Sequence, residues 1–231
     1  SEARREAIRA LDGLGVLISM IDHGSPQTVR VESIGLPIEN PSIGMIEQAA
    51  STLAQIAFDN SAMQDAIIAA GGIRSLLTLV KTGSQVAQEH AARAVRNLAS
   101  EVGNQRAIVD CGGIPDLVHL TKTGSVKAQE LAAAGLSELA SGAVSASANR
   151  GGSGVPSKQR GPDQLALIAE AGGIVPLVTM TSSTNSRGRE NAARALMHLA
   201  LHPANRIAIS QAHGIAPLVS ILDDGTPLAQ Q

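Results

Sequence analysis

Apolar residues recur at helical spacing along most of this chain, and short glycine-containing steps interrupt them at regular intervals. Apolar positions three and four residues apart predict amphipathic helices, and a glycine pair predicts the point where a helix ends. From Gly72 to Gly113 is 41 residues, and from Gly173 to Gly214 is again 41. A fixed period of this length predicts stacked helical repeats. The steps are Ala70-Gly-Gly-Ile73, Cys111-Gly-Gly-Ile114, Ala171-Gly-Gly-Ile174 and Ala212-His-Gly-Ile215.

A second phrase, Glu-x-Ala-Ala followed by Leu or Ile and then Ala, keeps the same register. It occupies residues 47–57, 89–99, 130–140 and 190–200. Each unit is therefore predicted to hold a short first helix, a second helix after the glycine step, and a long third helix. Proline falls in the first turn of three second helices, where its missing N–H costs nothing; these are Pro115, Pro176 and Pro217.

The spacing divides one domain, residues 1–231, into repeats with two insertions. The repeats are expected at about 2–59, 60–101, 102–141, 162–202 and 203–231. The inserted loops are expected at about 26–43 and 142–161. The first holds three prolines and predicts extended chain. The second is rich in glycine and serine and predicts a solvated loop, whose Arg150, Lys158 and Arg160 are candidates for contact with an acidic partner.

The ends of the chain lack the polar capping units that stacked repeats need. Residues 1–11 read as the first helix of a repeat, and the last residues read as the start of a third helix. We therefore expect a fragment of a longer array, or an array that partner subunits cap.

The order of a short helix, a Gly-Gly-Ile helix and an alanine-rich helix that ends in Asn-Leu-Ala resembles the armadillo repeat family. The resemblance covers roughly residues 2–141 and 162–231. It implies an all-α, right-handed superhelical solenoid of about four and a half three-helix repeats. A HEAT-repeat solenoid is the structural alternative, and the two-glycine step and the three-helix unit argue against it.

Composition narrows the classes of partner. The formal net charge is −2, so there is no bulk attraction to nucleic acid or to an anionic membrane. Phe58 is the only aromatic residue, which removes the stacking platforms of single-stranded nucleic acid binding. No apolar run reaches membrane-spanning length, and the single cysteine excludes an internal disulfide. An intracellular, cytoplasmic location is expected, with the nucleus as an alternative.

No arrangement of residues predicts catalysis, a cofactor or a metal. His198 and His202 have the i, i+4 spacing of zinc ligands, but Leu199 stands where a catalytic glutamate would be. We therefore interpret both residues as surface histidines. Residues 151–158 lack the Gly-Lys-Ser/Thr ending of a phosphate loop. Cys111 takes the slot of Ala70 and Ala171, which predicts a small packing residue.

In the armadillo family, third helices line a concave groove, and importin-alpha-like members carry Trp and Asn there, four residues apart. Here the Trp slot holds Ser51, Arg93, Ala134 and Arg194, and the Asn slot holds Gln55, Asn97, Glu138 and His198. With no tryptophan in the chain, a beta-catenin-like groove that grips acidic segments is the nearer analogy. The resemblance thus implies a partner-binding groove formed by Ser51, Gln55, Arg93, Arg96, Asn97, Glu138, Arg194 and His198.

Arginine suits this use because its planar fork donates two hydrogen bonds to a carboxylate. The alternative is that Arg93 and Arg194 only solvate a helix face or pair with a nearby glutamate. The repeated Glu47, Glu89, Glu130 and Glu190 are predicted in the first turn of each third helix, where negative charge favours the helix dipole.

The function predicted from these observations is a non-catalytic scaffold that binds a protein or an extended peptide, an acidic one among the candidates. Three alternatives stay open: a nuclear-import-type cargo adaptor, the substrate-binding region of a ubiquitin ligase, and a structural subunit of a larger assembly.

Overall fold

The computed structural model of the chain describes residues 13–22, 29–30, 37–38, 42–148 and 163–224. Almost all of these residues are helical. The helices are α1 (Gly13–Asp22), α2 (Ile43–Ile56), α3 (Ser61–Ala69), α4 (Gly72–Thr82), α5 (Gln85–Ala99), α6 (Val102–Asp110), α7 (Gly113–Thr123), α8 (Val126–Ala148), α9 (Gln164–Glu170), α10 (Ile174–Met180), α11 (Ser186–Leu199), α12 (Pro203–Gln211) and α13 (Ile215–Asp224).

The three-helix repeat predicted from the two phrases is confirmed by this order. Helices α3, α4 and α5 are the first, second and third helices of one repeat. Helices α6 to α8 and α9 to α11 form the next two, and α12 and α13 are the first two helices of another. The prolines of the second helices are each the third residue of α7, α10 and α13, in the first turn as predicted.

The glycine step takes the backbone conformation that its sequence predicts. Gly71, Gly112 and Gly172 have φ of 79°, 84° and 76°, in the left-handed region that favours glycine. His213 occupies the same position in the fourth step and has φ of 58°. The chain turns the same way at all four steps, and one of them does so with a non-glycine residue.

The first insertion contains the strands that the structure describes. β1 (Val29–Arg30) pairs antiparallel with β2 (Pro37–Ile38), with Val29 opposite Ile38. Extended chain was predicted here, and the remaining residues up to 41 lie outside the described ranges. The insertion ends at Ser42, whose side chain caps α2 by accepting from the Met45 N–H.

The second insertion begins later than the sequence predicted. The loop was expected from about residue 142, but α8 continues to Ala148. Residues 143–148 are alanine, valine and serine with no glycine or proline, so nothing in this stretch breaks a helix. Residues 149–162, which include Arg150, Lys158 and Arg160, lie outside the described residues.

The chain divides into two compact units, residues 1–111 and 112–231. Each has an aliphatic core, as the near absence of aromatic residues requires. The fully buried side chains of unit 1 include Leu53, Ile67, Leu76 and Leu98, and those of unit 2 include Leu117, Leu136, Ile168 and Leu177. Phe58 lies outside the core and is 66% exposed.

Long polar side chains of the first helices complete the hydrogen bonding of the third helices that precede them. The Gln64 and Gln105 Nε2 atoms donate to the carbonyl oxygens of Ala57 and Ala99 at 2.8 and 2.9 Å. Arg206 donates in the same way to the Ala200 carbonyl at 3.3 Å. The last carbonyls of these third helices, which have no partner within the helix, are thereby satisfied.

Across the described ranges, no single helix is both long and apolar enough to cross a membrane. The consecutive helices α3 and α4 meet that test only when they are taken together, and they are bent by 84° where they join.

Candidate partner-binding surface

In unit 1, the third helices α2 and α5 each have a face that lies away from the aliphatic core of the unit. On α5 the side chains on this face are His90, Arg93 and Arg96, each half-buried and spaced by three residues. On α2 the equivalent face carries Ser51, which is half-buried, and Gln55, which is exposed. We call these five residues the unit 1 surface.

The two arginines of the unit 1 surface, Arg93 and Arg96, lie one helical turn apart on α5, and both are half-buried. The Gln55 amide lies 3.5 Å from the Ser51 hydroxyl, at the outer limit of a hydrogen bond.

Asn97 does not belong to this surface, which corrects the sequence prediction. It is only 5% exposed, and its Nδ2 donates to the Ala54 carbonyl oxygen of α2 at 2.8 Å. A buried side-chain amide that already donates a hydrogen bond to another helix is not accessible to a binding partner. Its role is to join α5 to the third helix of the preceding repeat.

His90 was missed by the sequence reasoning and belongs to the unit 1 surface. Burial and the positive charge of Arg93 lower its pKa, against the opposing effect of Glu89 and Glu47. Its Nδ1 atom is buried and has no hydrogen-bond partner. The clue in the sequence was its position, one helical turn before Arg93.

Unit 2 presents Arg194 and His198 on α11 and Glu138 on α8, which we call the unit 2 surface. Arg194 is exposed, and the other two are half-buried. Ala134, in the Trp slot of α8, is buried.

The two histidines of α11 and its following turn have different surroundings. Burial and the charge of Arg194 lower the pKa of His198. The His202 Nε2 atom lies 3.6 Å from the Asp163 carboxylate, at the start of α9. Over the described ranges, no group of three histidine, cysteine or acidic side chains is placed to hold a metal ion.

The repeated glutamates lie one turn later than predicted. Each is the fifth residue of its helix, beyond the first turn, so the dipole argument is wrong for them. Instead, Glu47 accepts a 2.5 Å hydrogen bond from the Ser84 hydroxyl, and Glu130 accepts one from Asn185 Nδ2 at 3.2 Å. Ser84 and Asn185 are the N-caps of α5 and α11, the third helices of the repeats that follow.

Glu130 is the better enclosed of these two glutamates. Burial acts to raise its pKa, but hydrogen bonds from Lys127 and Asn185 and the charges of Lys127 and Arg187 outweigh it, and the pKa is lowered. The Lys127 ammonium lies 2.5 Å from its carboxylate. The glutamates therefore hold successive repeats together within each unit.

Cys111 is exposed, which corrects the prediction that it is a packing residue. It follows the last residue of α6, at the start of the glycine step, where the chain turns at the surface. A small residue at this position fits the turn at the surface and does not pack in the core.

The family follows from these features and from a comparison with known repeats. The family model described as armadillo/beta-catenin-like repeat matches residues 60–100, 102–141 and 161–201, which together exceed half of the chain. The chain belongs to the armadillo repeat family. No curated protein matches the sequence.

Three solved structures are similar in fold to this family member. An engineered protein of the Northeast Structural Genomics Consortium is 29% identical with a TM-score of 0.71, over 93% of this chain and 74% of that one. A designed armadillo repeat protein in complex with the peptide (KR)4 is 20% identical with a TM-score of 0.72, over 94% and 77%. A protein described as computationally designed armadillo repeats for modular peptide recognition is 19% identical with a TM-score of 0.73, over 94% and 77%.

Proposed function

We propose that this armadillo protein is a non-catalytic scaffold that binds an extended acidic segment of a partner protein. The observation that carries the proposal is that three arginines, Arg93, Arg96 and Arg194, lie half-buried or exposed on third helices, away from the cores of their units. Guanidinium groups on such helix faces favour a ligand that brings carboxylates, because each can donate two parallel hydrogen bonds to one carboxylate. A location inside the cell, in the cytoplasm or nucleus, is part of the same proposal.

The histidines of the two surfaces add to this preference. Both have a lowered pKa, so they are mostly neutral near pH 7 and offer hydrogen bonds without charge. They gain a proton as the pH falls, which adds positive charge beside the arginines. The affinity for an acidic segment is therefore expected to rise below neutral pH.

A basic segment is the competing ligand, because one structural neighbour is a designed protein that holds the peptide (KR)4. It is also the ligand that a nuclear-import-type adaptor would need. Arg93, which is half-buried, and Arg194, which is exposed, occupy the Trp slots of α5 and α11. Their positive charge repels such a peptide. The acidic segment is therefore preferred.

The test uses two labelled peptides, one of alternating Asp and Glu and one of sequence (KR)4, with binding followed by fluorescence anisotropy. We expect the acidic peptide to bind more tightly and the double variant Arg93→Glu/Arg96→Glu to weaken it about tenfold or more, since a charge-assisted hydrogen bond contributes roughly 1.5–3 kcal/mol. Arg194→Glu is expected to weaken it as well.

Arg74→Glu is the matched control, because Arg74 is an exposed arginine on the second helix α4. It makes the same change in net charge as Arg194→Glu, and half that of the double variant, away from the third helices, so its effect is expected to be no more than about twofold. Preference for (KR)4, or equal losses in the control and in the surface variants, would contradict the proposal.

A further inference from the structure

One position of the third helices carries a large apolar side chain at the surface in both units. It lies 11 residues after the repeated glutamate of its repeat and holds Phe58 in unit 1 and Leu201 in unit 2. Phe58 is 66% exposed, and Leu201 is 56% exposed. We call this place the rim position. The other two third helices have serine there, namely Ser100 and Ser141.

The backbone places the rim position in line with polar residues of the candidate surfaces. The Phe58 N–H donates to the Gln55 carbonyl oxygen at 3.2 Å, and the Leu201 N–H donates to the His198 carbonyl oxygen at 3.1 Å. These bonds tighten the last turn but keep its right-handed course, since the cap residue of each helix is right-handed. Residues three and four apart share one face of a helix. Leu201 therefore extends the face of α11 that carries Arg194 and His198, and Phe58 extends the face of α2 that carries Gln55.

The exposure of Phe58 does not come from a missing neighbour. The third helix of the following repeat, α5, packs beside α2, and its Asn97 donates a hydrogen bond to the Ala54 carbonyl oxygen, one turn before Phe58. The nearby Leu53 and Ala57 of this end of α2 are fully buried. The only aromatic residue of the chain is thus left outside the core although the following repeat is in place.

The chemistry around the rim position indicates a protein contact. A single exposed apolar residue has no particular meaning, because apolar atoms make up much of an ordinary protein surface. The rim position differs in two respects: it is apolar at the equivalent place in both units, and it adjoins the surfaces that carry the arginines. Aromatic residues and arginine are both enriched at protein–protein interfaces relative to the rest of the surface.

One short segment is long enough to reach both kinds of residue within a unit. Arg194 and Leu201 are seven residues apart, which is about 10 Å along the axis of α11 and the turn that follows it. An extended segment covers that distance in about three residues. A carboxylate and an aliphatic side chain separated by a few residues in the partner can therefore contact the arginine and the rim position together.

We propose that the acidic segment bound by each unit carries a large aliphatic side chain close to its acidic residues, and that Phe58 in unit 1 and Leu201 in unit 2 form the apolar contact. This specificity depends on the proposed function, because the arginines beside the rim position are what select an acidic segment. It adds a requirement on the partner sequence, since a run of acidic residues alone leaves the rim position uncovered.

The test compares labelled peptides by fluorescence anisotropy. The parent peptide alternates Asp and Glu, and in two series of derivatives one residue at a time is replaced by leucine or by serine. Both replacements remove one carboxylate, so the difference between them at each position isolates the aliphatic side chain. We expect at least one leucine peptide to bind about fivefold or more tightly than its serine counterpart, because apolar surface is removed from water on both partners.

The double variant Phe58→Ser/Leu201→Ser gives both rim positions the side chain that α5 and α8 have there. It is expected to abolish the advantage of the leucine peptide and to bind the parent peptide within about twofold of the wild type. Val175→Ser is the matched control, because Val175 is 63% exposed on the second helix α10, and it should leave the advantage unchanged. Since all three side chains are exposed, the melting temperatures of these variants should stay near that of the wild type.

Each other outcome contradicts a different statement. If no leucine peptide gains over its serine counterpart while the parent peptide still binds, the aliphatic requirement is wrong and the proposed function stands. If the parent peptide and all its derivatives fail to bind, the proposed function is wrong and the aliphatic requirement fails with it. A gain that survives in the double variant would place the apolar contact elsewhere and overturn the proposal.

Sedimentation tests the other occupant of the rim position, a second copy of the chain. A monomer at all concentrations, together with the loss of the leucine advantage in the double variant, supports the proposal. Dimers that Phe58→Ser/Leu201→Ser abolishes would show that the rim position joins two molecules of this protein, and the proposal would be wrong.

Discussion

At the scale of single residues, the glycine step isolates the energetic effect of one backbone angle. His213 has φ of 58° where the other three steps have glycine. For a residue with a Cβ atom, this conformation costs roughly 1–2 kcal/mol of folding free energy relative to the right-handed one. We therefore expect His213→Gly to stabilise the protein by about 1 kcal/mol and to raise the midpoint of thermal unfolding.

The control for this prediction is Gly112→Ala. Gly112 has φ of 84°, and a Cβ atom there would meet nothing within 4 Å, so its cost comes from the angle and not from a clash. It is expected to destabilise the protein by about 1 kcal/mol. A lower melting temperature for His213→Gly would show that the imidazole makes a contact worth more than the strain.

The arginine–histidine pair of α11 is a second case at this scale. Arg194 is one of two causes that lower the pKa of His198, after burial. Arg194→Gln removes its charge and is expected to raise the pKa of His198 toward the ordinary value of 6.5. An NMR titration of the imidazole protons measures this shift directly.

The sign of the linked stability change follows from the same pKa. In the wild type the folded chain binds the His198 proton less well than the unfolded chain does. Stability is therefore full above about pH 6.5 and falls as the pH drops through the lowered folded-state pKa. Arg194→Gln should lessen this loss, whereas Arg189→Gln on the same helix should leave the pKa of His198 unchanged. An unmoved pKa in Arg194→Gln would leave burial as the sole cause.

At the scale of helices, the repeated glutamate acts on the repeat after its own. Glu130 is buried and receives hydrogen bonds from Lys127 in its own helix and from Asn185, the N-cap of α11. We expect Glu130→Ala to destabilise unit 2 by roughly 1–3 kcal/mol, because the cap and the ammonium both lose an acceptor. Chemical denaturation measures the loss, and hydrogen exchange localises it to α11.

This contribution has a defined pH dependence. Because the pKa of Glu130 is lowered from 4.5, its stabilising effect is present above about pH 4.5 and is lost as the pH falls through the folded-state pKa. Glu101→Ala is the control, since its side chain makes no capping hydrogen bond to α6. If the two variants lost equal stability, the contact between Glu130 and Asn185 would contribute nothing.

These helices also show which features could be predicted from sequence. The glycine step and the glutamate phrase give the helix order and the turns because they depend on neighbours in the chain. The burial of Asn97 could not be predicted, since its hydrogen-bond acceptor, Ala54, lies 43 residues earlier on another helix. The shift of Glu47 and Glu130 out of the first turn has a local cause, because Ser42 and Ser125 cap their helices.

Part of the candidate surface, namely its arginines, could be predicted from the sequence because their place on each helix follows from the repeat. Arg93, Arg96 and Arg194 lie away from the core of their units, as a helical face derived from the repeat requires. His90 was not predicted, because only its surroundings distinguish it from a solvated histidine.

At the scale of the whole molecule, each of the two units has its own core, and equivalent residues can be compared between them. Leu76 in α4 and Leu177 in α10 hold the same place in their repeats, four residues after the second glycine of the step, and both are fully buried. Removing either side chain to Cβ leaves a cavity and is expected to cost about 2–5 kcal/mol.

In an array where contacts join mainly neighbouring repeats, such a loss should be felt locally. We expect Leu76→Ala to speed amide exchange mostly in α3 to α5 and Leu177→Ala mostly in α9 to α11, as followed by mass spectrometry of peptic fragments. Val175→Ala, at an exposed site on α10, should change neither. If each leucine variant instead lowered protection evenly from α2 to α13, the chain would unfold as one cooperative body, because the loss of one side chain would then be shared by every repeat.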